Sequence, residues 1–139
     1  MTDKKKFSMV MGLHANKRKK HSLVSSFRFG FIGIASAASK ERNMQIHICI
    51  SVLVVLAGFA FSITKAEWIT ILLAIGGMIA LEMLNTAVER TVDLYTKEFH
   101  PLAKQAKDIS AGAVLFFAII SVVIGLIIFL PRILAIVPL

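Results

Sequence analysis

The sequence predicts an all-α membrane protein, with three transmembrane helices preceded by an amphipathic helix on the membrane surface. Three observations carry this prediction. The 139-residue chain is 57% apolar and only 17% charged, with a mean hydropathy of +0.78, against roughly 45–50% and 25% in soluble domains. Its long apolar runs are each close to the roughly 20 residues that cross about 30 Å of hydrocarbon. Its net charge of +8 lies at one end: residues 1–45 hold ten Lys and Arg against Asp3 and Glu41, and the remainder sums to zero. The length fits one domain.

Residues 1–21 read as a basic, mobile arm, and residues 22–139 as the membrane domain. In SLVSSFRFGFIGIASAAS, residues 22–39, Leu23, Phe27, Phe31 and Ala35 recur at helical spacing while Arg28 and several serines interrupt them. A helix lying in the interface plane suits that mixture better than a span. The spans are expected at about 44–63, 68–84 and 109–130. The TKAE loop between the first two is so short that they form an antiparallel hairpin. Polar residues 85–108 contain no break before Pro101, so the second helix is expected to continue to about residue 99. Pro101 then suits the first turn of the next helix. Trp68 reads as an interface anchor. The small residues Ala35, Ala37, Ala38, Gly76, Gly77, Ala111, Gly112 and Ala113 would let helices approach closely.

Of the 16 Lys and Arg, only Lys65 and Arg132 fall on the side opposite the N-terminus and the 85–108 segment. The positive-inside rule therefore puts the N-terminus and that segment in the cytoplasm and the C-terminus outside. The basic arm suits anionic lipid headgroups. Nucleic-acid binding through KRKK is the rival reading, but the rest of the chain offers no reading module. The single cysteine, Cys49, excludes an internal disulfide and reads as a small buried hydrophobe. No secretory signal peptide is expected, because no cleavage pattern follows the first long apolar run.

One stretch conflicts with its surroundings. LEMLNTAVERTVD, residues 81–93, puts two glutamates, an aspartate and an asparagine where a span meets the cytoplasm. At about 100° per residue, Glu82, Glu89 and Asp93 fall within roughly 20° of one line, with Asn85 about 60° aside. Charged residues in spans nearly always face a protein interior or a wet cavity and usually mark function. Glu41 before the first span and Lys107 and Asp108 before the third belong to the same layer, giving four acids expected to face inward: Glu41, Glu82, Glu89 and Asp108. Hard carboxylate oxygens suit Mg²⁺ held jointly with phosphates. Lys107 can meet phosphate oxygens, and a remaining glutamate can take a proton from a hydroxyl. These are the parts of phosphoryl transfer. No G-x-x-x-x-G-K-[ST] loop and no soluble kinase signature is present.

The residues E-x-x-N-T-A-x-E at 82–89, Glu41 before the first span and AKD at 106–108, in this order and spacing, resemble the small bacterial membrane lipid kinases of the diacylglycerol kinase and undecaprenol kinase family. The resemblance covers about residues 22–130. It implies a homotrimer of three-span subunits in the bacterial cell membrane, with composite active sites between subunits. Carried over by position, Glu82 is the general base on the lipid hydroxyl, Glu41 and Glu89 are the Mg²⁺ ligands, and Asn85 supports the site, with Asp93 near. Glu98, Phe99, His100, Lys107 and Asp108, with Glu41 and Glu89, match positions that hold ATP. Gly33 and residues 27–29 correspond to the surface helix that closes over nucleotide, with Arg28 or His21 as its basic residue. ERNMQIH, residues 41–47, resembles the Gram-positive branch, and His47 stands where enterobacterial members carry an acid. That branch implies undecaprenol as acceptor, with diacylglycerol as the alternative.

Two other classes compete. A small oligomeric cation or proton conductor would use the acids as a pathway, but the outer halves of the spans are almost wholly apolar and the acids stay on one side. A membrane-anchored adaptor using the basic arm leaves the carboxylates without a purpose.

Overall fold

The computed structural model of the chain describes residues 22–96 and 98–136. The basic arm at 1–21 lies outside the described residues, as does His21. All regular structure among the described residues is helical: α1 Leu23–Lys40, α2 Arg42–Ala60, α3 Lys65–Tyr95 and α4 Pro101–Ile136. The chain divides into two units, Met1–Ile32 and Gly33–Leu139. In the first, α1 opens with Ser22, whose hydroxyl accepts from the Ser25 N–H at 3.3 Å, and carries Leu23, Phe27 and Phe31 exposed. The site described below lies wholly in the second.

In that unit α1 ends because Glu41 is extended, with φ −98° and ψ 118°, and α2 starts at the next residue. Gln45 Nε2 donates to the Ser39 carbonyl at 3.1 Å, tying the two helix ends. Then α2 stops at Ala60, short of the expected residue 63, because Ser62 takes φ 48°, a left-handed conformation that ends a helix. The Ile63 N–H then donates to the Gly58 carbonyl at 3.2 Å. The connection is therefore FSIT, residues 61–64, rather than TKAE. Thr64 caps α3: its hydroxyl accepts from the Glu67 N–H, and the Glu67 carboxylate accepts from the Thr64 N–H at 2.7 Å.

This end of the unit is stitched twice. Ile63, Ile71 and Ile128 are buried together, with Val54, Trp68 and Phe129 packed against them. Glu67 also receives both terminal nitrogens of Arg132, at 2.9 Å each, joining α3 to α4. Gly58 makes room for Trp68, since a Cβ there would stand 2.8 Å from its ring. Gly77 makes room for Phe117 on α4 in the same way. Gly76 and Gly112 face open space.

α3 ends at Tyr95, not at residue 99. Thr96 is extended, with φ −148° and ψ 138°, and its hydroxyl accepts from the Glu98 N–H at 3.1 Å. A threonine bonding locally offers the backbone an alternative to the helix. Glu98, Phe99 and His100 therefore lie in the turn before α4. Pro101 opens α4 as expected, and the Lys104 N–H donates to the His100 carbonyl at 3.0 Å. α4 continues through Pro131 to Ile136, beyond the expected 130. Its 36 residues make a helix about 54 Å long, more than the hydrocarbon thickness requires. α2, α3 and α4 are each long and apolar enough to cross a bilayer, and the protein is multi-pass.

Candidate active site

The apolar sequence of α3 carries its polar stripe inward. Glu82 is 2% exposed, and Asn85 and Thr86 are each 6% exposed. These residues turn toward α2 and α4 because the opposite face of α3, with Leu72, Leu73 and Leu84 exposed, is the apolar one. The Glu82 carboxyl lies within reach of Asn43 and His47 on α2, of Glu41 and of Glu89. Its Oε2 has no hydrogen-bond partner among the described residues. A buried carboxyl oxygen without a partner is costly, so such atoms are rare and call for a role.

One turn on, Asn85 joins two helices. Its Nδ2 donates to Glu89 Oε1 at 3.0 Å, and its Oδ1 accepts from Ser110 Oγ of α4 at 2.7 Å. The two bonds fix the amide's orientation and, through it, one oxygen of Glu89. Beyond this level Glu41 and Asp93 each pair with a cation of another element. Arg90 Nη2 donates to Glu41 Oε1 at 2.6 Å, across 49 residues of sequence. Lys107 Nζ donates to Asp93 Oδ1 at 2.5 Å, joining α4 to α3.

Glu41, Glu82, Asn85 and Glu89 thus come together, and Asp93 stands with Lys107. Asp108 departs from expectation. It is exposed and pairs with Lys104 one turn back on its own helix, so three acids face inward within the chain rather than four. The rotation of α4 that turns Ser110 toward Asn85 carries Asp108 outward. Glu98, Phe99 and His100 are exposed in the turn. Cys49, expected to be buried, is exposed.

Sequence reasoning missed Asn43, Arg90 and Ser110. Arg90 had a legible signal, being a cation directly after Glu89. Asn43 and Ser110 had none, since an amide and a hydroxyl at helix ends are ordinary. Among the described residues no group of three or more His, Cys, Asp and Glu is arranged to hold a metal ion alone. Glu41 and Glu89 are hard carboxylates, each with one oxygen in a hydrogen bond described above, and ligands of that kind suit Mg²⁺ only where phosphate oxygens complete its shell.

A cavity of about 250 Å³ lies between α2, α3 and α4, lined by His47, Ile50, Val54, Ile71, Met78 and Phe129 among others. The hydroxyls of Ser51 and Ser121, also in its wall, are turned to their own helices, donating to the carbonyls of His47 and Phe117. The wall is therefore apolar apart from His47, which also lies within reach of Glu82.

Membrane-crossing helices that bring buried and half-buried carboxylates next to paired cations at one level, with an apolar cavity adjoining, are suited to joining a lipid to a phosphate donor. The chain matches the prokaryotic diacylglycerol kinase family over residues 28–129 and belongs to it. It is an ATP-dependent lipid kinase. Among its relatives, the undecaprenol kinase of Bacillus subtilis is 54% identical over 100 residues, covering 72% of this chain and 81% of that protein. The diacylglycerol kinase of Synechocystis is 37% identical over 115 residues, covering 82% and 66%. That of Haemophilus influenzae is 32% identical over 108 residues, covering 77% and 92%.

Proposed function

We propose that this kinase transfers the γ-phosphate of ATP to the hydroxyl of undecaprenol, giving undecaprenyl phosphate, with Mg²⁺ as cofactor. The observation that carries the reading is the Glu82 carboxyl, buried beside an apolar cavity with one oxygen free. The acceptor is a hydroxyl at the end of a long hydrocarbon. Its chain suits the apolar wall, and its hydroxyl then meets a base that water does not reach. Glu82 takes the hydroxyl proton as the alcohol oxygen bonds to the γ-phosphorus and the bond to ADP breaks.

Glu41 and Glu89 would hold Mg²⁺, which when bound supplies charge neutralisation on the phosphates. Asn85 keeps Glu89 oriented for that task. Lys107 faces phosphate oxygens, and Asp93 holds it in place. Glu98, Phe99 and His100, exposed in the α3–α4 turn, are offered to the nucleotide together with Lys107 and Asp108. The 54% identity to the Bacillus undecaprenol kinase supports the prenol acceptor. The relatives named diacylglycerol kinase favour a diglyceride as the second reading.

The site and the N-terminus face the cytoplasm, where ATP is, and the C-terminus lies outside. Residues 1–21 hold the arm near anionic headgroups. The large apolar side chains exposed on α2, α3 and α4 suit lipid and neighbouring copies in a homotrimer. The test is transfer of labelled γ-phosphate from ATP, in detergent–lipid micelles with Mg²⁺, to undecaprenol and diacylglycerol in parallel. Strong labelling of undecaprenol with little of the diglyceride is expected. The reverse pattern would overturn the acceptor and keep the kinase.

A further inference from the structure

Both carboxylates given to the metal in the reading above already have partners within the chain, and the two partners differ in kind. Glu89 accepts from a neutral amide, Asn85 Nδ2 at 3.0 Å, and keeps its charge and its second oxygen. Glu41 accepts from a guanidinium, Arg90 Nη2 at 2.6 Å, which cancels its charge. This contact is a tertiary one, from the α1–α2 junction to α3. Arg90 is half-exposed, and its other N–H groups make no further hydrogen bond among the described residues. A planar fork with most of its donors open is what recognises phosphate oxygens two at a time.

Charge gives the reason for the pairing. Glu41 and Glu89 both act on the buried Glu82, so three carboxylates lie close enough to repel one another. The Arg90 guanidinium removes one of those charges while no ligand is present. A triphosphate arriving with its metal reverses the balance, because Glu41 is then neutralised by the ion and the phosphates bring more negative charge than one divalent ion cancels. Arg90, next in sequence to Glu89, is the cation left beside them.

We propose that Arg90 is a phosphate-binding residue of this kinase: it neutralises Glu41 in the nucleotide-free state and exchanges that carboxylate for the nucleotide's phosphate oxygens when Glu41 turns to the metal ion. The exchange rests on the proposed role of Glu41. No covalent step is involved. Two cations of this layer, Arg90 and Lys107, are paired with carboxylates, Glu41 and Asp93, for which phosphate oxygens would compete.

The experiment measures binding without turnover. The full chain in detergent–lipid micelles is titrated with a fluorescent trinitrophenyl analogue of ATP, displaced by ATP or adenosine, with Mg²⁺ and with a chelator. Wild type, R90Q, R90K and E41Q are compared, with circular dichroism confirming the fold of each. R90Q is expected to weaken Mg²⁺–ATP about tenfold or more, the scale of a charge-assisted hydrogen bond, while adenosine displaces the probe as in wild type. R90K, a point charge without a fork, recovers only part. E41Q releases Arg90 and binds metal-free ATP several-fold more tightly than wild type. R90Q within twofold of wild type, or a loss shared equally by adenosine, overturns the phosphate role. Wild-type Mg²⁺ dependence in E41Q overturns the role of Glu41 and the exchange with it, whereas a normal E41Q result with a silent R90Q fails Arg90 alone.

Discussion

Burying a carboxyl with one oxygen unbonded costs on the order of 1–3 kcal/mol, and Glu82 Oε2 is such an atom. A fold retains that cost where the group is needed, and the neighbours explain the need. Asn43 and His47 approach from α2, and Asn85 lies one turn along α3, so polar side chains of two helices gather at this carboxyl. The Glu82→Gln variant keeps the shape and removes the base. Turnover should fall by about 10²–10⁴-fold, the usual share of general-base catalysis, while ATP affinity stays near wild type. Parallel γ-phosphate transfer and ATP titration check this, and a variant with near-normal turnover removes Glu82 from the role. Asn85 matters differently: its two bonds, to Glu89 and to Ser110, make the acid's position depend on α4.

The helices owe their relative placement to a few contacts. α3 packs most extensively on α4, and Gly77 is where a side chain would stop them. A Cβ at Gly77 would stand 2.5 Å from Phe117 Cζ, so Gly77→Val must displace that ring. Overpacking of this kind costs about 1–3 kcal/mol. The thermal midpoint of the solubilised protein should drop, and adding Phe117→Ala should recover part of the loss. A midpoint unchanged by Gly77→Val would mean that the ring yields freely. At the other end Glu67 serves two elements, closing the α3 capping box and receiving Arg132 from α4.

At the scale of the whole molecule, the distribution of charge argues for one topology. The basic residues other than Lys65 and Arg132 lie toward the N-terminus and the α3–α4 turn, and the positive-inside rule predicts both in the cytoplasm and the α2–α3 turn outside. In a Cys49→Ala background, Ser62→Cys should react with a membrane-impermeant maleimide on intact cells. Glu98→Cys should react only after permeabilisation. The opposite pattern would invert the protein and separate the site from cytoplasmic ATP. The apolar cavity is lined by His47 and Met78, and His47 also lies within reach of Glu82, an order that suits an acceptor which is apolar along its length and polar at its end.

Composition and helical period were enough to give the spans, the polar stripe of Glu82, Asn85 and Glu89, and the start of α4 at Pro101. These are properties of one helix at a time: burial follows hydropathy, and residues three, four and seven apart share a face whatever lies opposite. The family, too, was legible, because E-x-x-N-T-A-x-E and AKD are local motifs. What the period cannot state is which neighbour a face meets. The ion pair of Arg90 with Glu41, the bridge from Asn85 to Ser110, and the outward turn of Asp108 all depend on how α4 and the α1–α2 junction are rotated against α3. The end of α3 escaped for a smaller reason, a single extended residue at Thr96 whose hydroxyl bonds to Glu98. Sequence alone determined which helices are apolar enough to cross a membrane and where α3 turns polar, since solvation acts on each residue separately. Tertiary structure decided which charged residues pair across the fold, since Arg90 meets Glu41 and Lys107 meets Asp93 only when separate elements are packed together.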